Sequence, residues 1–341
     1  MPKVLCFGSV NVDDVFVVPH IVLTGETISS SEYNVHPGGK GANQSVALAK
    51  AGVETHHAGR IGKDGVWVSE LMQSHGVKTE LLTVDEKLPN GRAIIQVSAA
   101  TNDNAIVLFP GTNHAITLED ADKAICAFEK GDWVVLQNEI NLDAANKVLA
   151  DAAKKGLVVV ANPAPCPSDY VQKVDLSHVD LLVLNASEAA SIAGQISTSD
   201  ASKPASDSEL DIGTHAAHHL LQSLPNLKLV VVTLGGDGAV ACLRKATNSA
   251  ELVTYHALAL QGCKLVDTTG AGDTFVGFFI ASLVKSLSGP VSRTLSDILT
   301  DVDVVKLALK MGTTAGGMAC EKAGAMPSIP VWADVEKRSA L

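Results

Sequence analysis

The sequence predicts a doubly wound α/β protein carrying a small accessory β-sheet, and three observations predict it. Continuous apolar runs of strand length recur at 4–7, 133–136, 157–160, 181–184 and 229–232. Runs that are apolar throughout, rather than alternating, mark strands buried on both faces, as in a parallel sheet covered by helices. Amphipathic stretches lie between them, such as 142–155 with Leu142, Ala145, Val148, Leu149 and Ala152 on one side. That β-α-β-α succession belongs to layered α/β architectures. Two segments break the rhythm with short strands, polar turns and no helix.

In chain order, the run 4–7 opens the main sheet. The segment 12–35 then offers short strands at 15–18 and 31–35, and a glycine turn leads into a helix ending near Lys50. The segment 92–110 gives two more strands, 93–98 and 105–109, joined by Thr101-Asn102-Asp103-Asn104. These four strands, from about 12–36 and 92–110, are expected to pair into a small sheet beside a ligand crevice, a lid. The alternative is an edge extension of the main sheet. The stretch 194–213, rich in Ser, Asp, Thr and Ala around Pro204, reads as a surface loop.

The chain has 341 residues, which at about 150 residues per domain suggests two domains, against one large α/β domain. Lys and Arg number 26 against 37 Asp and Glu, a net charge of −11, and aromatics make up 4%. Acidity and scarce stacking platforms argue against a nucleic-acid partner. No apolar stretch reaches the roughly 20 residues that span a bilayer. The start lacks the charged and apolar regions of a secretory signal, so no membrane partner and a cytoplasmic location are expected. Cys6, Cys126, Cys166, Cys242, Cys263 and Cys320 form no Cys-x-x-Cys pair and read as reduced thiols.

The strongest local signal is Asp267-Thr268-Thr269-Gly270-Ala271-Gly272-Asp273, followed by a helical run. Small residues directly before a helix leave several backbone N–H groups pointing at one spot near the positive end of the helix dipole, a site for an anion, phosphate above all. A carboxylate at Asp273 would repel that phosphate. It makes sense as a base that takes a proton from a hydroxyl attacking phosphorus, or as a first-turn acid complementing the dipole. No Walker P-loop exists: the stretch 59–64 fails in length and last residue. Gly270 and Gly272 are followed by Phe275, so no Gly-x-Gly-x-x-Gly exists either.

A second cluster is Pro37-Gly38-Gly39-Lys40-Gly41-Ala42-Asn43, suited to a polyhydroxylated ligand or an anion, or to a structural turn. Asn11-Val12-Asp13 follows the first run, Glu139 follows the run at 133, Asn185 and Glu188 the run at 181, and Thr233, Gly235 and Gly238 the run at 229. Each alone is an ordinary turn. Their recurrence at the carboxyl ends of successive strands, where open α/β sheets bind ligands, carries the inference.

With these residues in order, the chain resembles the PfkB (ribokinase-like) carbohydrate kinases along nearly its whole length, from Gly8-Ser9-Val10-Asn11-Val12-Asp13 to Gly324-Ala325-Met326-Pro327-Ser328. Both family signatures, 38–43 and 267–273, are present. The resemblance implies a three-layer α/β/α sandwich forming one domain over 1–341, with the β-sheet lid inserted. It implies an enzyme that phosphorylates the C5 hydroxyl of D-ribose from ATP with Mg²⁺, and a homodimer through the lid. By it, Asp273 is the general base, and the N–H groups of Gly270, Ala271 and Gly272 form the anion hole. Asn11, Asp13, Gly39, Lys40, Asn43 and Glu139, with Asp273, hold the sugar. Asn185, Thr233, Gly235, Gly238, Gly272 and Thr313 hold the nucleotide, and Glu188 reaches Mg²⁺ through water. Asp267, Thr269, Ala319, Lys322, Gly324 and Ser328 hold K⁺, mostly through main-chain oxygens.

Fructose, 2-deoxyribose, a keto-deoxy sugar acid or a nucleoside are the rival substrates within the family. The Asn11–Asp13 pair suits a vicinal diol, which disfavours 2-deoxyribose. A non-catalytic sugar or nucleotide binder is the rival from another class, and the intact Asp273, Gly270 and Gly272 speak against it. The stretches 194–213, 244–263 and 286–303 look long for the family. His215, His218 and His219 sit at metal-binding spacing but have no further ligand nearby, and an exposed helix face is the preferred reading.

Overall fold

The computed structural model describes residues 1–101, 103–196, 208–245, 248–288 and 293–340. The strands are β1 (Val4–Phe7), β2 (Asn11–Val18), β3 (Glu32–Gly38), β4 (Thr55–Gly62), β5 (Lys78–Asp85), β6 (Gly91–Ser98) and β7 (Asn104–Phe109). They continue with β8 (Trp133–Gln137), β9 (Val158–Asn162), β10 (Leu181–Asn185), β11 (Leu229–Thr233), β12 (Ala239–Lys245) and β13 (Asn248–Ala257). The helices are α1 (Lys40–Lys50), α2 (Val66–Ser74), α3 (Leu118–Cys126), α4 (Leu142–Lys155), α5 (Tyr170–Lys173) and α6 (Ala186–Ile196). After them come α7 (Glu209–Ser223), α8 (Ala271–Ser286), α9 (Leu295–Thr300), α10 (Val302–Ala319) and α11 (Trp332–Ser339).

The large sheet runs β13-β12-β11-β10-β9-β8-β1-β4-β5. From β11 to β5 every pair is parallel, while β12 and β13 add an antiparallel edge. The fold is therefore the α/β sandwich expected, with a mixed rather than wholly parallel sheet. Side chains alternate between two apolar layers. Val4, Trp133 and Val135 pack on one face with α1, α8 and α10, and Leu5, Phe7, Val134 and Leu136 on the other with α3, α4 and α7. This two-sided burial is why the strands read as unbroken apolar runs.

Helix α4 spans 142–155, as its pattern predicts. Asn141 Oδ1 accepts the Ala144 N–H at 2.9 Å, and Gly156 closes the helix in the left-handed conformation (φ 82°). The four strands outside the rhythm form a separate sheet, β3-β2-β6-β7, and not an edge extension of the large one. In it β2 lies antiparallel to β3 and parallel to β6, and β7 closes an antiparallel hairpin with β6.

Two expectations change. The loop at 194–213 is helical at both ends, since Gly194 belongs to α6 and Glu209 to Gly213 belong to α7; 197–207 lies outside the described residues. The polar composition there is partly capping chemistry, with Ser208 accepting the Asp211 N–H. Asn185 and Thr233 end β10 and β11 rather than following them. Strands β4 and β5 carry no apolar run, because polar partners satisfy their side chains: Arg60 of β4 pairs with Asp85 and Asp120, each at 2.9 Å. Of the stretches that look long, 246–247 and 289–292 lie outside the described residues, as does residue 102 of the polar turn. No helix among the described residues is long and apolar enough to cross a membrane.

Candidate active site

The centre is built where α1 crosses α8. Gly277 of α8 faces Ala47 of α1 so closely that an added Cβ would lie 2.3 Å from the Ala47 Cβ and 3.0 Å from its carbonyl carbon. Glycine at 277 therefore sets how near the two helices come. One turn back on each helix, that approach brings Asp273 against Asn43 and Gln44. Asn43 Nδ2 donates to Asp273 Oδ2 at 3.0 Å, and Gln44 Nε2 donates to Asp273 Oδ1 at 3.0 Å. All three side chains are buried, and Asn43 Oδ1 has no partner among the described residues.

A second group gathers beside them. Glu139, in the turn after β8, accepts from Ser9 Oγ at 2.6 Å and from the Lys40 N–H at 3.0 Å. Gly39 caps α1, and Lys40 opens it. The Asp273 carboxylate raises the Lys40 pKa against the opposing effect of burial, and Glu139 and Glu188 add to it. Asn11 and Asp13 stand two apart on β2 and so share a face. Asn11 Oδ1 accepts from Asn113 Nδ2 at 2.7 Å, whose own Oδ1 takes the Val10 N–H at 3.0 Å. Burial, then Glu139, Asp14 and Asp273, push the Asp13 carboxyl up to about 7.

That shift yields a stability prediction. Against an ordinary value of 3.8, a folded-state pKa of about 7 means the folded protein holds an extra proton between those limits. Stability from this group is then present at low pH and is lost as pH rises from about 4 to 7. Asp13→Asn is expected to raise Tm by about 3 °C at pH 8 and to leave it near parental at pH 4. Calorimetric melting at both values checks this, and an equal change at the two would contradict it.

Gly270 caps α8 with φ 76°, and an added Cβ there would lie 2.8 Å from Ala325. Its carbonyl accepts from Thr274 N and Oγ1 at 2.9 and 2.8 Å, and Ala271 N–H donates to Thr268 O at 3.2 Å. At the start of α6, Asn185 and Glu188 cap each other: Glu188 Oε2 accepts the Asn185 N–H at 2.9 Å, and Asn185 Oδ1 accepts the Glu188 N–H at 2.8 Å. Burial raises the Glu188 carboxyl.

Three cavities meet here, and Thr268 lines all of them. One of about 220 Å³ holds Lys40, Asn185, Glu188, Gly270, Gly272 and Asp273. A neighbour of about 400 Å³, mostly apolar, is lined by Thr233, Gly235, Gly238, Gly272, Phe275 and Thr313. The third, about 680 Å³, lies between the small sheet (Asp13, Val15, Ile95, Ile106) and the loops bearing Asp267, Thr269 and Gly324.

Those two loops are tied through Asp267. Its Oδ1 accepts from Thr269 N and Oγ1 at 2.9 and 2.7 Å, and its Oδ2 accepts the Gly324 N–H at 2.8 Å. Burial alone would raise its pKa, but these bonds outweigh it and hold it below the ordinary value. Ala319 ends α10, its carbonyl accepting the Lys322 N–H at 3.2 Å, and Ser328 Oγ donates to Ala325 O at 2.7 Å.

The histidines of α7 are half-buried rather than exposed, with His218 Nε2 2.8 Å from Thr254 Oγ1. Among the described residues no group of three His, Cys, Asp or Glu side chains is placed to hold a metal ion. Sequence reasoning missed Gln44, Asn113, Gln137 and Asn162. Asn162 ends β9 and falls under the strand-end rule that found its neighbours. Asn113 carries no local signal, since its partners lie about a hundred residues away.

A family model described as pfkB family carbohydrate kinase matches residues 1–332. The chain is 30% identical over 339 residues to the ribokinase of Staphylococcus aureus, covering 98% of this chain and 99% of the relative. It is also 30% identical over 288 residues to the deoxyribokinase of Salmonella typhi, covering 82% and 85%. Among solved structures, ribokinase from Cryptococcus neoformans var. grubii serotype A in complex with ADP superposes with a TM-score of 0.81 at 30% identity, covering 99% of this chain and 100% of that one.

Proposed function

The chain belongs to the pfkB family of carbohydrate kinases, a kinase that phosphorylates a sugar from ATP, and we propose that its acceptor is the C5 hydroxyl of D-ribose. One observation carries the reading. A buried carboxylate, Asp273, is held on both oxygens by neutral amides in the first turn of a helix whose Gly270 and Gly272 line the same cavity. Neutral amide donors orient the carboxylate without forming an ion pair with it. The carboxylate then takes the proton of the attacking hydroxyl, while the N–H groups of Gly270 and Gly272 stabilise the charge of the transferring phosphoryl group; the Ala271 N–H, expected to join them, is committed to Thr268 O.

The sugar site follows from polar groups with unmet capacity. The orphaned Asn43 Oδ1 needs a donor, and a sugar hydroxyl supplies one. Asn11 and Asp13 on one face of β2 suit adjacent hydroxyls, with Gly39, Lys40 and Glu139 closing the other side. The apolar 400 Å³ cavity suits an adenine ring, with Thr313 at its wall and Thr233, Gly235 and Gly238 beside the ribose and phosphates.

Two cations fit the residues present. Mg²⁺ keeps several waters, which agrees with an isolated Glu188 and Asn185; bound, it offsets phosphate charge. K⁺ fits the oxygen-only donors of Asp267, Thr269, Ala319, Lys322, Gly324 and Ser328, and would order the loop that holds Gly270. The exposed Tyr33, Val35, Ile94, Ile106 and Val107 of the small sheet support a lid that pairs with that of a second subunit.

A coupled ADP assay over D-ribose, 2-deoxy-D-ribose, D-fructose, a keto-deoxy sugar acid and a nucleoside tests the acceptor. D-Ribose is expected to exceed each by at least about tenfold in kcat/KM. Faster turnover of 2-deoxyribose or fructose would sink the ribose assignment.

A further inference from the structure

We propose that Gln44, fixed by Asn162 and Gln137, is a positioning residue that sets the orientation of Asp273; this rests on the base role proposed above. The amide chain begins at the backbone of β10. The Val183 carbonyl can only accept, so the Asn162 group facing it, at 2.8 Å, is its Nδ2. Asn162 Oδ1 therefore faces Gln44, which must present Nε2, at 2.8 Å. The two hydrogens of that one nitrogen serve two acceptors, Asn162 Oδ1 and Asp273 Oδ1 at 3.0 Å. Gln44 Oε1 is then turned the other way and takes a bond from Gln137 Nε2 at 2.7 Å.

Every amide in the chain has only one orientation that satisfies its neighbours. Gln44, Gln137 and Asn162 are 0%, 4% and 8% exposed, so water cannot replace a lost partner, and a reversed amide would place like atoms together at hydrogen-bond distance. A backbone carbonyl of the central sheet thus determines which atom meets the carboxylate. Asp273 cannot rotate freely, and the donor at Oδ1 is a neutral amide, while the charged groups that face it are Lys40 of α1, Glu188 of α6 and Asp13 of β2. Asn43 acts differently. Its Oδ1 is unpartnered, so its amide is free to answer the ligand while Gln44 stays fixed.

Gln44→Glu is the test, since it keeps the shape and replaces the donor by a second carboxylate. The expected kcat falls about 100-fold at pH 7, with sugar KM changed less than about threefold, because only the proton-transfer step loses its geometry. The acidic limb of the kcat–pH profile should move up by about one unit or more, since a neighbouring carboxylate opposes ionisation of Asp273. A merely structural role would lower Tm and lower kcat equally at every pH. Gln137→Met, which removes the donor to Gln44 Oε1 without adding charge, should show about a fivefold loss of kcat at pH 7, and it serves if Gln44→Glu does not fold. A parental pH profile in both variants, while Asp273→Asn is inactive, overturns the relay alone. Parental turnover by Asp273→Asn overturns the base reading and the relay with it.

Discussion

Asp273→Asn is expected to bind sugar and nucleotide and to lose about 10³- to 10⁴-fold in kcat, the upper part of what a positioned general base supplies. The substitution keeps volume and adds no charge, so a loss of that size reports chemistry rather than folding. The surrounding amides say how it is accommodated. Gln44 Nε2 is locked toward Oδ1 by Asn162 and Gln137, so the introduced amide must keep its oxygen on that side. Its nitrogen then faces Asn43, whose orphaned Oδ1 becomes the acceptor after a flip. Tm is expected to stay within about 3 °C of parental, because one hydrogen bond is exchanged for another. Isothermal titration with sugar and with nucleotide, beside steady-state kinetics, separates binding from turnover. Turnover within tenfold of parental would remove Asp273 from the base role.

Gly270→Ala is expected to cost about 10²- to 10³-fold in kcat, the effect of spoiling a preorganised anion hole, with sugar KM changed less than about threefold. At φ 76° a side chain is strained, and the new Cβ would sit 2.8 Å from the Cα and Cβ of Ala325. Neither neighbour is the far end of a flexible side chain, so the turn must move. Asp267 and Gly324 move with it, since their 2.8 Å bond ties the two loops. The proposed sugar residues Asn11 and Asp13 lie on β2 and are untouched, which is why the effect should fall on kcat. A kcat within threefold of parental would mean that these N–H groups do not carry the developing charge.

Much of the fold was legible in the chain. The limits of α4 followed from its apolar spacing, and the Asn141 cap and Gly156 that the structure shows there are local too, because helix termini are governed by residues within a few positions of the end. The two-sided burial of β1 and β8 to β11 was legible for a similar reason, since a run of unbroken apolar residues cannot face water on either side of a sheet. Strand β4 was not legible. His57 and Arg60 interrupt it, and what allows them inside is Ser45, Asp85 and Asp120, partners that no local window contains. The antiparallel β12–β13 edge escaped likewise, because direction is set by which strand edge is open, not by composition.

At the site the same division holds. The two glycine signatures and Asp273 were readable because backbone approach to an anion requires small residues in a row, a demand written contiguously. The shift of Asp13 to about 7 and the chain from Val183 through Asn162 and Gln44 to Asp273 were not readable, since the first depends on groups from distant elements and the second joins segments up to 229 residues apart. By itself, the sequence determined that the protein is an α/β sandwich with a glycine turn leading into a helix that carries a carboxylate in its first turn. Only the tertiary structure decided how that carboxylate is oriented and which groups surround it. Both depend on distance and on exclusion of water, and these exist only once α1, α8 and the central strands have packed together.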